Sequence, residues 1–238
     1  MVGDEKFPII AIVIDDLGVQ LSSTERAIGL DPSVTLAFLP YASDVGSQVI
    51  LARSAGHEVL LHMPMEPLDR SNDPGPNALY VDLELREMLR RLRWAFDQIP
   101  HAVGLNNHMG SKFTADENAM ATVIGEMKSR DLIFLDSRTT PDSIATDLAH
   151  RRNLLNVRRD VFLDNDRTNS AIRSQLKLVE RIAVERGSGV AIGHPYPETF
   201  NALEEWVERA RFRGFSITPI SEFTQLINER NNFVKIVD

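Results

Sequence analysis

Short apolar runs rich in β-branched residues alternate along the chain with longer stretches in which apolar residues recur at helical spacing. This alternation is typical of repeated strand and helix units, in which the strands form a parallel sheet and the helices cover it. The strands that the pattern predicts are residues 8–14, 34–39, 58–62, 102–105, 132–135, 154–157, 190–193 and 215–218. Strands in this number can close a barrel, so the sequence predicts an α/β barrel of seven or eight strands.

A helix is predicted most clearly between the third and fourth of these strands. Its apolar positions alternate between spacings of four and three residues and are Leu85, Leu89, Leu92, Phe96 and Ile99. This spacing places them in one apolar stripe along the helix, with arginines between them in the sequence. We therefore expect the helix to pack against the outside of the sheet.

The composition is that of an ordinary globular protein. Of the 238 residues, 43% are hydrophobic and 25% are charged, which argues against a disordered chain, a fibre or a coiled coil. A single α/β barrel has this length, so we expect one domain over residues 1–238.

The net charge is negative, because 26 Lys and Arg stand against 34 Asp and Glu to give a formal value of −8. Such a chain repels phosphate backbones and anionic lipid surfaces. The sequence also lacks an apolar stretch of the roughly 18 residues that a membrane-spanning helix needs. We expect neither a nucleic-acid partner nor a membrane span in this chain, and the sequence leaves the oligomeric state open.

The chain has six histidines and no cysteine. Because the chain has no thiols, it cannot form disulfides, iron–sulfur clusters or cysteine-based zinc sites. Any metal site must therefore be built from histidine and carboxylate side chains.

Two adjacent carboxylates, Asp15 and Asp16, follow directly on the apolar run of residues 9–14. Neighbouring carboxylates at the end of a buried strand repel each other and lose hydration, so they are costly unless a cation or a proton compensates them. One of them can then ligate a metal while the other serves as a base. The alternative is structural, with one Asp capping the next helix and the other facing water.

Three histidines lie at or just beyond the ends of predicted strands, namely His62, His108 and His194. A lone histidine in such a place is more often a core residue that hydrogen-bonds a carbonyl group. In a parallel barrel, however, the carboxyl ends of the strands converge on one face, so these histidines are expected beside the two aspartates. Imidazole and carboxylate ligands without thiolate suit Zn²⁺, or alternatively Mn²⁺ or Co²⁺, with one position open for water. This combination predicts hydrolysis by an activated water. The other histidines, His57, His101 and His150, are expected to be structural.

Further polar residues follow predicted strands on the same expected face. Asp136, Ser137 and Arg138 come after one strand, and Asn107 lies beside His108; all four are candidates for substrate binding. Asp136 can orient a ligand or bind substrate and Arg138 can neutralise a carboxylate, but a structural ion pair between these two fits the sequence equally well. Asp164 and Asp166 are interpreted mainly as part of a turn and a helix cap.

The run from Ile14 to Gly18 resembles the first motif of the polysaccharide deacetylases of the NodB-homology type, and more closely their divergent branch. Residues 192–194 resemble the last motif of that family, and residues 56–62 resemble the approach to its second motif. The resemblance covers almost the whole chain. It implies a distorted (β/α) barrel of seven or eight strands and a metal-dependent hydrolase that removes acetyl groups from an N- or O-acetylated carbohydrate.

The resemblance also implies roles for individual residues. Asp15 is the expected base, Asp16 a metal ligand and His194 the general acid. In the family's second motif a histidine is followed four residues later by another, whereas here His62 is followed by Glu66. The expected ligand set is therefore Asp16 and His62 with His108, whose strand end should face the same centre; Glu66 is the alternative third ligand.

The family's motif of arginine, proline and an aromatic residue is not recognisable in this sequence, and Arg138 is a candidate to replace its arginine. A competing hypothesis is a catalytically silent carbohydrate-binding or cell-envelope scaffold that keeps the barrel. A metal-dependent hydrolase of another bond is a third possibility, because one fold serves many chemistries.

A glycan substrate makes the periplasm of a Gram-negative bacterium the expected compartment. The first six residues have neither the charge pattern nor the apolar run of a signal peptide. The chain runs into an apolar strand within a few residues of its start, so we expect a domain trimmed from a longer exported or anchored precursor.

Overall fold

Buried strands and amphipathic helices alternate in the computed structural model, which describes the backbone of residues 7–237 and the side chains of residues 7–230. The nine strands are β1 (Ile9–Leu17), β2 (Thr35–Phe38), β3 (Val59–Met65), β4 (Gly104–Met109), β5 (Ile133–Asp136), β6 (Asn156–Arg158), β7 (Val161–Phe162), β8 (Ser188–Gly193) and β9 (Ser216–Ile217). The eight α-helices are α1 (Leu21–Ile28), α2 (Val45–Ser54), α3 (Leu85–Gln98), α4 (Glu117–Ser129), α5 (Ala145–Arg151), α6 (Asn169–Arg186), α7 (Pro197–Phe212) and α8 (Ile220–Val237).

All strand pairs are parallel, and the order across the sheet is β6-β5-β4-β3-β2-β1-β8-β7, with β9 beside the start of β1. Within the described residues β6 and β7 do not pair with each other. The sheet therefore curls into a barrel that is open along one seam. The predicted distorted barrel is confirmed, with β7 as an additional short strand in a segment that the sequence predicts as a turn.

The two faces of the sheet bury different sets of residues. Along β1, Ile10, Ile12 and Ile14 belong to the large cluster between the sheet and the surrounding helices. The alternate residues Ile9, Ala11 and Val13 belong to a smaller cluster that also contains residues of α8. This alternation follows from the two-residue period of a strand, and the smaller cluster marks the inner face of the curled sheet.

Three strands extend beyond their predicted ends. β1 continues to Leu17, β3 to Met65 and β4 to Met109. The polar residues expected just after these strands therefore lie within them, at their carboxyl ends. There the inner face changes from apolar to polar, which is possible because the polar side chains bind one another.

The predicted helical stripe is present in α3. Met88, Leu92, Ala95 and Phe96 are buried, whereas Leu85 at the start of the helix is 62% exposed.

Within the part of the chain that the structure describes, no helix combines the length and apolarity that a membrane span requires.

Candidate metal centre and active site

A bulge in β1 brings two neighbouring carboxylates to the same place. The register between β1 and β2 shifts between Ile14 and Leu17, and Asp16 has a φ of 58°. In a regular strand, adjacent side chains point to opposite faces. Here the bulge and the left-handed conformation of Asp16, which aspartate tolerates better than most residues, let both carboxylates approach His62. The Nε2 atom of His62 lies 3.6 Å from Asp15 Oδ2 and 3.2 Å from Asp16 Oδ1.

Three ligand atoms converge beside this bulge. Asp16 Oδ1 lies 3.2 Å from His62 Nε2 and 2.9 Å from His108 Nδ1, and the two imidazole nitrogens are 3.2 Å apart. A tetrahedral zinc ion with bonds of about 2.0–2.1 Å holds its ligands roughly 3.3 Å from one another. The sides of this triangle are thus close to those required around a single divalent ion.

The hydrogen bonding of Asp16 also fits a cation. Its Oδ1 atom is buried and has no properly aligned hydrogen-bond donor among the described residues, although both imidazole nitrogens are near. A buried, unpaired carboxylate oxygen is costly unless something positive compensates it. A divalent ion held by the three ligand atoms would do so, and the donor set of one carboxylate and two imidazoles suits zinc.

Asn106 fixes the orientation of His62. In the pairing of β3 with β4, His62 lies opposite Asn106. The amide nitrogen of Asn106 donates to Asp15 Oδ1 at 2.8 Å and to Ser137 Oγ at 3.1 Å. Because an ionised carboxylate only accepts, the amide oxygen must point the other way, to His62 Nδ1 at 3.0 Å. His62 then carries its proton on Nδ1 and directs the lone pair of Nε2 into the triangle.

Asn106 is fully buried and was not among the residues predicted for the site. A signal was present in the chain, since Asn106 lies two residues before His108 and so on the same face of its strand. Its contact with His62 depends on the register of two strands that are distant in sequence.

Burial and neighbouring charge act differently on the two aspartates. Burial raises the pKa of Asp15, and the charge of Asp16 adds to this effect, while His62, His194 and Asn106 oppose it. Burial also acts to raise the pKa of Asp16, but the contacts from His108 and His62 outweigh it and lower that pKa well below its usual range. Asp16 is therefore held as an anion, and Asp15 is the carboxylate with the higher proton affinity.

His194 enters the site from the end of β8. Its Nδ1 atom lies 2.9 Å from Asp164 Oδ1, which leaves Nε2 directed toward Asp16, at 3.8 Å from Oδ2. Asp164 Oδ2 accepts from the backbone N–H of His194 at 2.5 Å and from Thr199 Oγ1 at 2.8 Å. Burial acts to lower the pKa of His194, but the hydrogen bond that its Nδ1 donates to Asp164 and the charges of nearby carboxylates raise it overall.

The interpretation of Asp164 as part of a turn and cap was wrong. Asp164 is buried and supports His194, while Thr168 caps α6 by accepting from Ala171 N. The error arose because β7 was not predicted. If Phe162 had been predicted as a strand residue, Asp164 would have been placed two positions further along, on the same face. Asp166 does take part in a turn, where it accepts from Thr168 N.

Glu66, the alternative third ligand, is occupied elsewhere. Its Oε1 atom accepts from Lys112 Nζ at 2.6 Å, and its Oε2 atom accepts from Val81 N at 2.9 Å. Glu66 does not belong to the group of ligand atoms around Asp16. Its carboxylate instead ties the end of β3 to two neighbouring segments.

Two of the four predicted substrate-binding residues are engaged with neighbouring loops. Asn107 accepts from Ser137 N and donates to Met109 O. The fully buried Asp136 accepts from Arg138 N and from the hydroxyls of Ser143 and Thr146. Ser137 stands next to the site, since its hydroxyl accepts from Asn106.

The alternative of a structural ion pair between Asp136 and Arg138 does not occur among the salt bridges of the described residues, and a different arginine lies near Asp15. Arg159 donates from Nε to Ser137 O at 2.7 Å and from a terminal nitrogen to Arg138 O at 2.9 Å. Burial lowers its pKa, whereas the charge of Asp15 acts to raise it. Arg159 was not predicted, because it precedes the short strand β7.

The remaining histidines lie outside the site. His57 is buried and its two ring nitrogens face the carbonyl oxygens of Val34 and Ile28, at 2.8 and 3.1 Å. His101 and His150 are exposed, the latter in the last turn of α5. This placement agrees with their expected structural character.

Comparison with known proteins agrees with the motifs and the fold. Residues 12–224 match the family described as divergent polysaccharide deacetylase. The match covers most of the chain and includes Asp15, Asp16 and all three histidines of the site. The chain belongs to the divergent polysaccharide deacetylase family, and the resemblance noted in its sequence is confirmed.

The curated relatives have no described activity. The chain is 36% identical over 199 residues to the uncharacterized protein YibQ of Escherichia coli K12, an alignment that covers 83% of this chain and 62% of YibQ. The chain therefore spans less than two thirds of the length of that relative.

Solved structures share the fold. An uncharacterized protein of Agrobacterium tumefaciens C58 has a TM-score of 0.88 at 29% identity, over 91% of this chain and 89% of that chain. Peptidoglycan deacetylase PdaC of Bacillus subtilis has a TM-score of 0.57 at 15% identity, over 94% of each chain. A CE4 family pseudoenzyme of Bacillus anthracis has a TM-score of 0.54 at 12% identity, over 92% of this chain and 66% of that chain. The last two similarities show the NodB-type fold alone, and that fold is found in a deacetylase and in a pseudoenzyme.

Proposed function

We propose that this chain is a metal-dependent hydrolase that removes acetyl groups from an N- or O-acetylated carbohydrate. The observation that carries the proposal is the convergence of Asp16, His62 and His108 between a buried carboxylate, Asp15, and an oriented imidazole, His194. Membership of a deacetylase family supplies the substrate class. A base, a cation site and an acid within one site are the groups that hydrolysis of an amide or ester requires.

Asp16, His62 and His108 would hold the metal ion. Zinc is the ion that their donor set favours, with manganese or cobalt as alternatives. When bound, a divalent ion of this kind polarises a carbonyl group and acidifies water. Asn106 supports the site by keeping the lone pair of His62 Nε2 directed toward it.

Asp15 is the proposed base. One of its oxygens, Oδ1, is held by Asn106 at 2.8 Å, so Oδ2 is the oxygen that can receive a proton. Burial raises the pKa of Asp15, which strengthens it as a base compared with an exposed carboxylate. In the proposed reaction Asp15 removes a proton from the water as the water oxygen bonds to the acetyl carbon.

His194 is the proposed acid. The contact of its Nδ1 with Asp164 fixes the ring and leaves Nε2 facing the site, and its raised pKa favours the protonated form. His194 would give its proton to the departing nitrogen or oxygen as the bond to the acetyl carbon breaks. The products are acetate and the free amine or hydroxyl of the sugar.

The test is acetate release from N-acetylated chito-oligosaccharides and from peptidoglycan fragments. We expect zinc-loaded protein to release acetate and chelator-treated protein to be inactive until zinc is restored. His62→Ala should abolish release, whereas His150→Ala, which removes an exposed histidine outside the site, should match the parent. A zinc-loaded, folded protein that releases no acetate from any acetylated glycan in this set would refute the proposal.

A catalytically silent carbohydrate-binding protein is the second candidate. It is favoured by Glu66, which stands at the family's second histidine position and is held by Lys112 rather than facing the other ligand atoms. Binding of the same oligosaccharides without acetate release, measured by calorimetry beside the activity assay, would support this candidate against the first.

The proposed activity also leads us to propose a periplasmic location, because glycans of the cell envelope would be within reach there. Fractionation of a Gram-negative host that expresses the natural protein tests this. Recovery of the protein in the cytoplasmic fraction would contradict it.

A further inference from the structure

A groove runs along the open seam of the barrel, beside the proposed active site. It has a volume of about 430 Å³, and the residues that line it include Arg138 and Thr139 after β5, and Arg159 and Phe162. The seam is the part of the sheet where β6 and β7 do not pair among the described residues. The groove therefore lies where the two edge strands of the described sheet, β6 and β7, fail to pair.

Phe162, which lines the groove, lies beside His194. The guanidinium of Arg159 lies 5.0 Å from the centre of the Phe162 ring, and that ring lies 5.0 Å from the ring of His194. Beyond His194, the ring of Tyr196 follows at 5.9 Å. The guanidinium of Arg167 covers Tyr196 at 3.8 Å and donates to its hydroxyl at 2.7 Å. We call this row of five side chains, from Arg159 to Arg167, the arginine–aromatic wall.

The arginines along the wall and the groove have no salt-bridge partner among the described residues. Within the described residues, Arg138, Arg159 and Arg167 have no carboxylate within salt-bridge distance, and the recorded partners of Arg159 and Arg167 are carbonyl oxygens and a phenol. The acidic side chain in the groove, Asp160, accepts from Val190 N and faces Arg186. Three arginines without a salt-bridge partner along the wall and the groove contrast with a chain whose net charge is −8.

The planar guanidinium group of arginine carries N–H donors whose arrangement matches the oxygens of a carboxylate or phosphate group. Aromatic faces between the arginines offer flat apolar surface on which a sugar ring can rest. A saccharide that places an acetyl group between Asp15 and His194 would extend one neighbouring residue along the wall or into the groove.

Resting on the proposed deacetylase function, we propose that the groove and the arginine–aromatic wall bind a negatively charged substituent, a carboxylate or a phosphate, on the acetylated saccharide. The substrate is then an anionic glycan. The arginines select it by charge and hold the acetylated residue against the candidate site.

The experiment compares three oligosaccharides of equal length. The first alternates N-acetylhexosamine with hexuronic acid, the second is the same compound with its carboxyl groups reduced to alcohols, and the third is neutral except for a phosphate on a primary hydroxyl. Binding is measured by calorimetry on metal-free protein at two salt concentrations, and acetate release is measured on zinc-loaded protein. The variants are Arg138→Gln and Arg167→Gln, with Arg151→Gln as a control of equal charge change outside the groove.

We expect the carboxylated or the phosphorylated compound, or both, to bind about tenfold or more tightly than the reduced one, an advantage typical of charge-assisted hydrogen bonds. The advantage should shrink at high salt. Arg138→Gln and Arg167→Gln should each raise the KM for the charged compound severalfold, with little change in kcat or in binding of the reduced compound. Arg151→Gln should resemble the parent.

Equal binding of charged and reduced compounds, or equal loss of both in the two arginine variants, would overturn the proposal even if acetate is released. Tight, arginine-dependent binding of a charged compound without acetate release would refute the deacetylase function and leave the anion site standing. The preferred compound identifies carboxylate or phosphate as the recognised group.

Discussion

Asn106 and His62 face each other across neighbouring strands, and the amide oxygen of Asn106 lies 3.0 Å from Nδ1 of His62. The other end of the amide is bound to Asp15. One side chain thus orients a proposed metal ligand and holds the proposed base at a fixed distance from it. A buried amide with both ends engaged has a single orientation, which makes its removal informative.

We expect Asn106→Ala to weaken zinc binding by about 10- to 100-fold, the usual cost of losing a group that orients a ligating histidine. His62 would no longer be held in the tautomer that presents Nε2. Competition with a chromogenic chelator measures the affinity. Ser137→Ala is the matched control, because it removes a partner of the Asn106 amide nitrogen at 3.1 Å while sparing the contact with His62. Unchanged zinc affinity in Asn106→Ala would mean that Asn106 does not orient a ligand.

Substitutions of the two neighbouring aspartates should distinguish metal binding from catalysis. Asp16→Asn keeps a side chain that tolerates the left-handed conformation at a φ of 58° but removes the negative charge from the triangle. We expect it to lose most zinc affinity, so that zinc no longer raises its Tm. In the parent, zinc at a hundred times its Kd should stabilise the fold by about 2.7 kcal/mol.

Asp15→Asn is the counterpart, expected to bind zinc much as the parent does and to release acetate roughly 10²- to 10⁴-fold more slowly. The amide has almost the shape of the carboxylate but cannot accept the proton. Calorimetry with zinc and an acetate assay on the same preparations distinguish the two variants. If Asp15→Asn loses the metal and Asp16→Asn keeps it, the proposed roles are exchanged.

The sequence predicts a large part of this site because of the two-residue period of the strands. Val13, Leu60 and Ile192 lie on the inner face of the sheet, and the residues two positions further along are Asp15, His62 and His194. A strand whose inward-facing positions are apolar until the last, which is polar, therefore indicates where the site lies.

The supporting residues could not be predicted in the same way. Asp164 follows a strand of only two residues, and Arg159 precedes it, so no apolar run marks either of them. The bulge that brings Asp15 and Asp16 together is set by pairing with β2, which is a tertiary effect. Long-range register, rather than local pattern, determines these parts of the site.

Glu66→Gln tests whether the residue at the family's second histidine position contributes to the metal site. Because Glu66 is held by Lys112 and Val81 N, we expect zinc affinity equal to that of the parent. We also expect a loss of stability of about 1–3 kcal/mol, since a buried charge-assisted hydrogen bond is weakened. Chemical denaturation and the chelator competition give the two values. A tenfold drop in zinc affinity at unchanged stability would instead make Glu66 a ligand.

The support of His194 by Asp164 leads to the last prediction. Asp164 Oδ1 lies 2.9 Å from His194 Nδ1, and Oδ2 accepts from His194 N and Thr199 Oγ1. Asp164→Asn keeps the size of the side chain but replaces one accepting oxygen with a donor, so the imidazole is no longer held with its proton on Nδ1. We expect kcat to fall by at least tenfold while zinc affinity stays within about twofold of the parent, because neither residue belongs to the ligand triangle. Thr199→Ala is the control, since it removes a partner of Asp164 without touching the contact with His194. If Asp164→Asn and Thr199→Ala lower kcat equally and lower the Tm equally, Asp164 stabilises the loop after β7 and does not position the acid.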